Sequence, residues 1–230
     1  MDIPALLVNF KRYTGHDAAY LAQVCNEVSK SYGRNTIGIV PYHADMAGII
    51  SKVEIPVFAQ YLGMQSSGAD SDAAAKAAKE AGARGTLINH SDMTLHMHGI
   101  EMSVEAAKRY GLISVCCSNK LEESTQIAGF KPDVIAYEPH ELIGGDKSVS
   151  KAVPHVIRDT VEELAMLSPV TSVYIGAGIK HWEDIEAGLR LGAKGFLVSS
   201  VLTEHQNKKG VLEELCSSLY SEGRLRVHPI

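Results

Sequence analysis

The sequence lacks several features that would restrict its function at once. It contains no run of about 18 or more apolar residues, so we expect no membrane-spanning helix. Its N-terminal stretch lacks a basic region followed by a long apolar segment, so we expect no signal peptide. Basic residues are not in excess. The formal net charge of −5 and the isoelectric point near 6.1 argue against a general binder of nucleic acids or anionic membranes.

The four cysteines also lack a recognisable pattern. Cys25, Cys116, Cys117 and Cys216 show no CxxC spacing, and the adjacent pair is awkward for a disulfide framework. Free thiols in a reducing cytosol are therefore expected, which predicts a cytoplasmic protein. Cys116 and Cys117 are expected to pack against the wall of the fold, because no group that would activate a thiol is evident.

Short apolar runs alternate with helical patterns along the whole chain. The runs are continuously apolar, as expected when both faces of a parallel sheet are covered. Among the helical patterns, one opens at Asp17 and closes at Gly33, and an alanine-rich one runs from Ser71 to Gly82. The predicted strands are Ala5–Phe10, Thr36–Tyr42, Pro56–Leu62, Gly85–His90, Leu112–Ser118, Asp133–Glu138, Ser172–Gly176 and Gly195–Ser200.

Eight successive strand–helix units fit a closed barrel better than an open doubly wound sheet. An open sheet needs two edge strands, and none of the runs carries the lysine or proline that protects such edges. The 230 residues show no long linker and no break in composition. We therefore predict one α/β domain over residues 1–230, a single-domain (β/α)8 barrel.

Several of the predicted strands end in polar residues. Barrels of this kind build their sites at the C-terminal ends of the strands. Glu138 can act there as a base next to a substrate carbonyl, while Lys11 and His90 can face the oxygen where negative charge develops. The small-residue turns at Gly176–Gly178 and Ser199-Ser200 can present backbone N–H groups to a phosphate.

Each of these residues alone also has a purely structural explanation. A glutamate at a strand end is often a loop cap, and most lysines are solvated surface charges. His96 and His98 are predicted to be solvated loop residues rather than metal ligands, because no third ligand stands at a suitable spacing. The functional interpretation depends on the coincidence of the polar groups at one end of the barrel.

Four motifs carry a resemblance to a known family. They are Val8-Asn9-Phe10-Lys11, Asn89-His90-Ser91, Ala136-Tyr137-Glu138-Pro139 with Glu141-Leu142-Ile143-Gly144, and Gly176-Ala177-Gly178-Ile179. In combination, and in register over nearly the whole chain, they resemble triosephosphate isomerase. The compact form, with E-P-x-E-L-I-G after the sixth strand, resembles the archaeal branch of that family.

The resemblance implies a TIM barrel that interconverts dihydroxyacetone phosphate and D-glyceraldehyde 3-phosphate through an enediol(ate), in glycolysis and gluconeogenesis. It implies that Glu138 removes the proton and that neutral His90 polarises the carbonyl. Lys11 is implied to stabilise the enediolate, and Asn9 to help orient that group. Asp92 stands where the family usually has a glutamate, and it is implied to be a catalytic residue. Its side chain is one methylene shorter, so we expect the lysine-paired carboxylate to be displaced by about 1 Å and the activity to be reduced.

The resemblance also implies how substrate and partners are bound. A loop over residues 139–148 is expected to close over the site, and no metal or organic cofactor is needed because the substrate carbonyl accepts the electrons. We expect a homo-oligomer, a dimer rather than a tetramer, although Gly63–Ser71 lacks the threonine-containing pattern that family dimers insert into a neighbour. The implied substrate-binding residues are Asn9, Phe10, Lys11, Ile143, Gly144, Gly178, Ser199 and Ser200.

Two other interpretations remain open. One keeps the barrel and the phosphate site but changes the substrate, as in phosphoribosyl isomerases or prenyl-transfer barrels, although those are expected to show different acids at the strand ends. The other is a non-catalytic sugar-phosphate-binding or structural relative, because Asp92 and Asp146 depart from the family pattern. An assay with glyceraldehyde 3-phosphate separates all three.

Overall fold

A strand forms inside each of the eight predicted apolar runs. The computed structural model describes residues 3–62, 68–138 and 154–221. Most strands are shorter than predicted, because the ends of the runs pack as turns without joining the ladder. The strands are β1 Leu6–Asn9, β2 Ile37–Val40, β3 Phe58–Ala59, β4 Gly85–Ile88, β5 Ile113–Ser118, β6 Val134–Tyr137, β7 Ser172–Ile175 and β8 Gly195–Val198.

Helices follow the strands, and two of them begin earlier than predicted. The first helix starts at Gly15 rather than at Asp17. The alanine-rich helix starts at Gly68 rather than at Ser71, because the Ser71 hydroxyl faces inward, 3.2 Å from the Ser103 hydroxyl of a neighbouring helix, and does not cap its own helix. Within the described residues the helices are α1 Gly15–Tyr32, α2 His43–Ile50, α3 Gly68–Glu80, α4 Met97–Arg109, α5 Leu121–Gly129, α6 Pro154–Leu167, α7 Trp182–Arg190, α8 Ser200–Thr203 and α9 Lys208–Ser221.

All of the paired strands are parallel, and their order closes a ring. Hydrogen-bonded neighbours follow the sequence β2-β1-β8-β7-β6-β5-β4-β3. The two ends of this row meet at a bridge between Ile39 and Val57, where Ile39 N–H donates to the Pro56 carbonyl at 2.9 Å. The predicted (β/α)8 barrel is confirmed.

Side chains fill the barrel from its N-terminal end. Tyr174 lies inside the ring and donates its hydroxyl hydrogen to the Pro4 carbonyl at 2.7 Å, which closes that end. Alternate strand residues point outward and are covered by the helices, so that Leu6 and Val8 are as buried as the inward Leu7. Burial on both faces explains the continuous apolar runs. The open end of the barrel is therefore the C-terminal one.

The four cysteines are free and buried, as predicted. Cys116 and Cys117 lie on β5 within the barrel wall, and burial raises the pKa of both thiols. His96 and His98 are exposed as predicted, but His98 lies in the first turn of α4 rather than in a loop. In the described part of the chain, no helix is both long and apolar enough to cross a membrane.

Gly85 supplies a test of how tightly the barrel wall is packed. A Cβ added at this position would lie 2.3 Å from the Phe58 ring and 2.6 Å from the Ile113 carbonyl oxygen, which is backbone and cannot turn away. We expect Gly85→Ala to lower the free energy of unfolding by about 1 to 3 kcal/mol, measured by denaturant titration. Gly48→Ala on α2 is the control, because nothing lies within 4 Å of its added methyl. Equal stability of the two variants would contradict this account of the packing.

Candidate active site

The polar strand ends converge on one cavity at the C-terminal end of the barrel. Its volume is about 610 Å3, and its walls come from the loops after β1, β4, β6, β7 and β8. Parallel pairing forces this convergence, since it sends all of the C-terminal strand ends to the same side. The residues that line the cavity include Asn9, Lys11, His90, Glu138, Gly176, Gly178, Ser199 and Ser200.

His90 is held as a neutral imidazole. The backbone N–H of Asp92 donates to Nδ1 of the ring at 3.2 Å, and this bond assigns the ring proton to Nε2, which lies 3.9 Å from Glu138 Oε1. Burial lowers the pKa of His90; the Asp92 carboxylate opposes this shift and the Lys11 charge adds to it. The ring is 6% exposed, and its neutral form is the one that this environment favours.

Asn9 links the first strand to the histidine and to the lysine. It is the last residue of β1, and its Oδ1 accepts the Lys11 backbone N–H at 2.9 Å. Its Nδ2 lies 3.2 Å from Nε2 of His90. Because Asn9 Nδ2 and His90 Nε2 both carry hydrogens, neither can accept a hydrogen bond from the other. The His90 N–H therefore needs an oxygen acceptor in the cavity.

Lys11 has an unusual backbone conformation. Its φ is +49°, in the left-handed region of backbone conformation that residues other than glycine rarely adopt. Asn9 holds its N–H, and the Gln60 side chain donates to its carbonyl at 2.7 Å. Both bonds fix the backbone from which the ammonium group extends into the cavity. This contact of Gln60 was not predicted from the sequence.

Glu138 is buried beside the histidine. Its backbone N–H donates to the Ser118 carbonyl at 2.7 Å, which ties the end of β6 to β5. Its Oε1 lies 3.9 Å from Nε2 of His90, and the residue is 8% exposed. Burial raises the pKa of Glu138 to about 7; Lys11 lowers it and Asp92 raises it. A carboxylate with such a pKa can both take and return a proton near neutral pH.

Asp92 lies beside the histidine. Its Oδ2 lies 3.3 Å from Nδ1 of His90, and its side chain is 48% exposed. Among the described residues, Asp92 and Lys11 do not form an ion pair. The carboxylate of aspartate is one methylene shorter than that of glutamate and lies against the imidazole instead.

The predicted phosphate-binding turns line the same cavity, on the side of β7 and β8. Gly178 has φ +74°, and Ser200 opens the four-residue helix α8. The Phe10 side chain is 1% exposed and packs in the core outside the strands, and its implied role in substrate binding stays a prediction. Ile143 and Gly144, with the rest of the 139–148 loop, lie outside the described residues, as does 63–67 of the loop after β3.

In the described residues, no group of three or more histidine, cysteine, aspartate or glutamate side chains could hold a metal ion. The cavity instead holds an acid–base pair of Glu138 and His90, with a nearby ammonium from Lys11. This arrangement, at the C-terminal end of a (β/α)8 barrel, defines the class of barrel enzymes that move protons on a small substrate.

Comparisons with known proteins name the family. The family model described as triosephosphate isomerase matches residues 4–218. The triosephosphate isomerase of Methanothermus fervidus is 38% identical over 223 residues, which cover 95% of this chain and 100% of the relative. That of Methanosarcina barkeri is 40% identical over 219 residues, 94% of this chain and 98% of the relative. The chain belongs to the triosephosphate isomerase family, and its similarity to archaeal members confirms the predicted branch.

The raised pKa of Glu138 predicts how stability depends on pH. Between pH 4.5 and about 7, the unfolded chain has lost this proton and the folded protein has kept it, so stability falls as pH rises through this window. Glu138→Gln removes the effect. At pH 8 we expect the variant to be more stable than the parent by about 3 kcal/mol, and at pH 4 the difference should vanish apart from a constant offset.

The measurement is the free energy of unfolding against pH for both proteins. Glu122→Gln is the control, because Glu122 is exposed on α5 and its change of charge is the same. A difference between Glu138→Gln and the parent that stays constant from pH 4 to pH 8 would show that the Glu138 pKa is not raised.

Proposed function

We propose that this chain catalyses the interconversion of dihydroxyacetone phosphate and D-glyceraldehyde 3-phosphate through an enediol(ate) intermediate. The observation that carries the proposal is the placement of a buried carboxylate of pKa about 7 beside a neutral imidazole in one cavity. Membership of the family supports the choice of substrate. The reaction belongs to glycolysis and gluconeogenesis.

The reaction begins with the removal of a carbon-bound proton by a base. Glu138 removes a proton from C1 of the ketose or from C2 of the aldose. A general base works best when its pKa lies near the working pH, and burial brings Glu138 to about 7. The same carboxyl group then returns the proton to the neighbouring carbon, and His90 moves a proton between the two oxygens of the enediol. Together these transfers complete the isomerisation without any redox step.

The carbonyl oxygen of the substrate needs hydrogen-bond donors while negative charge develops on it. His90 presents Nε2–H toward the cavity, and the adjacent Asn9 group is another N–H donor. A substrate carbonyl oxygen accepts from both, and this satisfies two N–H groups that cannot bond to each other. Donors fixed in advance where negative charge develops stabilise the transition state more than the ground state. Lys11 adds a positive charge that already acts on Glu138 and His90.

The phosphate is assigned to the other side of the cavity. Backbone N–H groups at Gly178 and Ser199-Ser200, which line the cavity, are assigned as its donors, and Ile143 and Gly144 would complete its shell from the 139–148 loop. Closure of this loop would exclude water and strengthen every charge interaction in the site. The chemistry needs no cofactor, because the carbonyl of the substrate accepts the electron pair.

The remaining predictions concern the whole molecule. We infer that residues 1–230 form one domain, that the protein acts in the cytoplasm, and that it is a homo-oligomer, a dimer rather than a tetramer. Four free buried thiols support the reducing compartment. A second cavity of about 430 Å3, bounded by Lys11, Tyr42, Tyr61 and Asp92, lies beside the site on the β2–β3 side.

A coupled assay with glyceraldehyde 3-phosphate tests the proposal. We expect the parent protein to isomerise the substrate and Glu138→Gln to lower kcat by about 100-fold to 10,000-fold, because the amide cannot take a proton. Glu122→Gln should retain the parent kcat. An inactive parent protein would favour a non-catalytic relative or another substrate, and an active Glu138→Gln variant would remove Glu138 from the mechanism.

Gly176 provides an independent test of the position of Glu138. A Cβ at residue 176 would lie 2.5 Å from Cγ of Glu138 and 3.0 Å from its Oε1, so the carboxylate must move. We expect Gly176→Ala to lower kcat by about 100-fold, the effect of a shift of about 1 Å in a reacting group. Gly129→Ala, with open space around the new methyl, should leave kcat unchanged. If Gly176→Ala has the parent kcat, the assigned position of the carboxylate is wrong.

A further inference from the structure

The residue before the histidine has a strained backbone and a fully bonded side chain. Asn89 has φ +60°, a conformation that is uncommon for any residue other than glycine. Its Nδ2 donates to the Cys117 carbonyl at 3.0 Å and to Oε1 of Glu123 at 3.1 Å. Its Oδ1 accepts the Leu95 backbone N–H at 2.9 Å. Both amide hydrogens and the amide oxygen are therefore used, in a residue that is 8% exposed.

Glu123 uses both of its carboxylate oxygens at the same place. Oε1 accepts from Asn89, and Oε2 accepts the Asn119 backbone N–H at 3.2 Å. Glu123 lies in the first turn of α5, where the helix favours a negative charge. It thus joins the turn after β4 to the turn after β5. This role was not predictable from the sequence, because the two residues stand 34 positions apart.

The bond from Leu95 to Asn89 closes the segment that carries the site residues. Residues 89–95 form a loop that begins and ends at the Asn89 side chain, and Met93 N–H donates to the His90 carbonyl at 2.7 Å inside it. This loop also sets the direction of the Asp92 N–H that bonds to Nδ1 of His90. The orientation and the tautomer of the imidazole both depend on the loop remaining closed.

We propose that Asn89 and Glu123 are a positioning pair for His90: Glu123 anchors the Asn89 amide, and the amide holds the left-handed turn that directs Nε2–H into the cavity. Neither side chain lines the cavity, so neither touches the substrate. The part of this proposal that concerns catalysis rests on the proposed function. The part that concerns the imidazole does not.

A purely structural role for the pair predicts a different outcome. In that case, loss of Glu123 lowers stability, and the kinetics follow only through the fraction of folded protein. A positioning role predicts a lower kcat with little change in KM in protein that is fully folded, because His90 acts on the developing oxyanion. The test therefore needs kinetic and spectroscopic measurements on folded variants.

Four variants separate the contributions. Glu123→Gln has a single acceptor oxygen and cannot accept from both Asn89 and Asn119; we expect kcat to fall about tenfold, with KM within about twofold. Asn89→Asp places two carboxylates face to face and should lower kcat by about 100-fold. Asn89→Gly permits the left-handed backbone but removes the amide, and its kcat should also fall.

In Asn89→Asp with Glu123→Gln, the glutamine N–H can donate to the new carboxylate, so kcat should recover above that of Asn89→Asp alone.

Glu122→Gln is the matched control, since it makes the same charge change one position away on the exposed face of α5. Its kcat and KM should equal those of the parent. Thermal unfolding of every variant shows whether the protein is folded at the assay temperature. Parent kcat in both Glu123→Gln and Asn89→Asp would overturn the proposal, as would a failure of the double variant to recover any activity lost in Asn89→Asp.

Nitrogen-15 NMR of histidine-labelled protein gives a readout without substrate. The His90 ring signals can be assigned by their loss in His90→Gln. In the parent we expect a proton on Nε2 and none on Nδ1, and in Glu123→Gln and Asn89→Asp we expect a shifted or mixed tautomer signal. An unchanged His90 signal in both variants would refute positioning even if kcat fell. A parent protein that is inactive but shows the expected changes would instead refute the proposed function alone.

Discussion

Closure of eight parallel strands into a ring is the constraint on which the site depends. Asn9 and His90 stand 81 residues apart and meet because β1 and β4 end on the same side of the barrel. In the part of the chain that the structure describes, the N-terminal end of the ring is filled by Tyr174 and closed through Pro4, and the cavity opens at the C-terminal end. The packed interior of the barrel thereby forms the bottom of the cavity, and the reactive side chains come from the C-terminal strand ends and the loops that follow them.

The site holds a carboxylate in a position that works against stability. Burial in the barrel mouth raises the pKa of Glu138 to about 7, and the Lys11 charge offsets only a part of this shift. A more solvated glutamate would stabilise the folded protein at neutral pH, but it would be a weaker base for a proton bound to carbon. Gly176 permits this burial, because any larger residue would occupy the space of the carboxylate. The space left by Gly176 therefore allows the burial that makes Glu138 a stronger base.

The features that were predictable from the sequence are those that depend on the pattern of neighbouring residues along the chain. Apolar runs located all eight strands, and the polar residues after them located Asn9, Lys11, His90 and Glu138 at the cavity. Contacts between distant turns were not predictable in this way. The predicted start of α3 was wrong because Ser71 faces α4. The inward turn of the Phe10 side chain was not predictable, because its motif neighbours line the cavity. The bond between Asn89 and Glu123 depends on the order of strands in the closed barrel, which no local pattern contains.

Asp92 has two opposed effects on the imidazole beside it. Its carboxylate, 3.3 Å from Nδ1, favours a protonated ring, and it also raises the pKa of Glu138. Its backbone N–H occupies the lone pair of Nδ1 and so favours the neutral ring. Lys11 acts against the carboxylate on both groups, lowering the pKa of His90 and of Glu138. Since burial is the largest influence on His90 and also lowers its pKa, the neutral ring prevails. The half-exposed aspartate is therefore compatible with the neutral imidazole that proton transfer at the substrate oxygens requires.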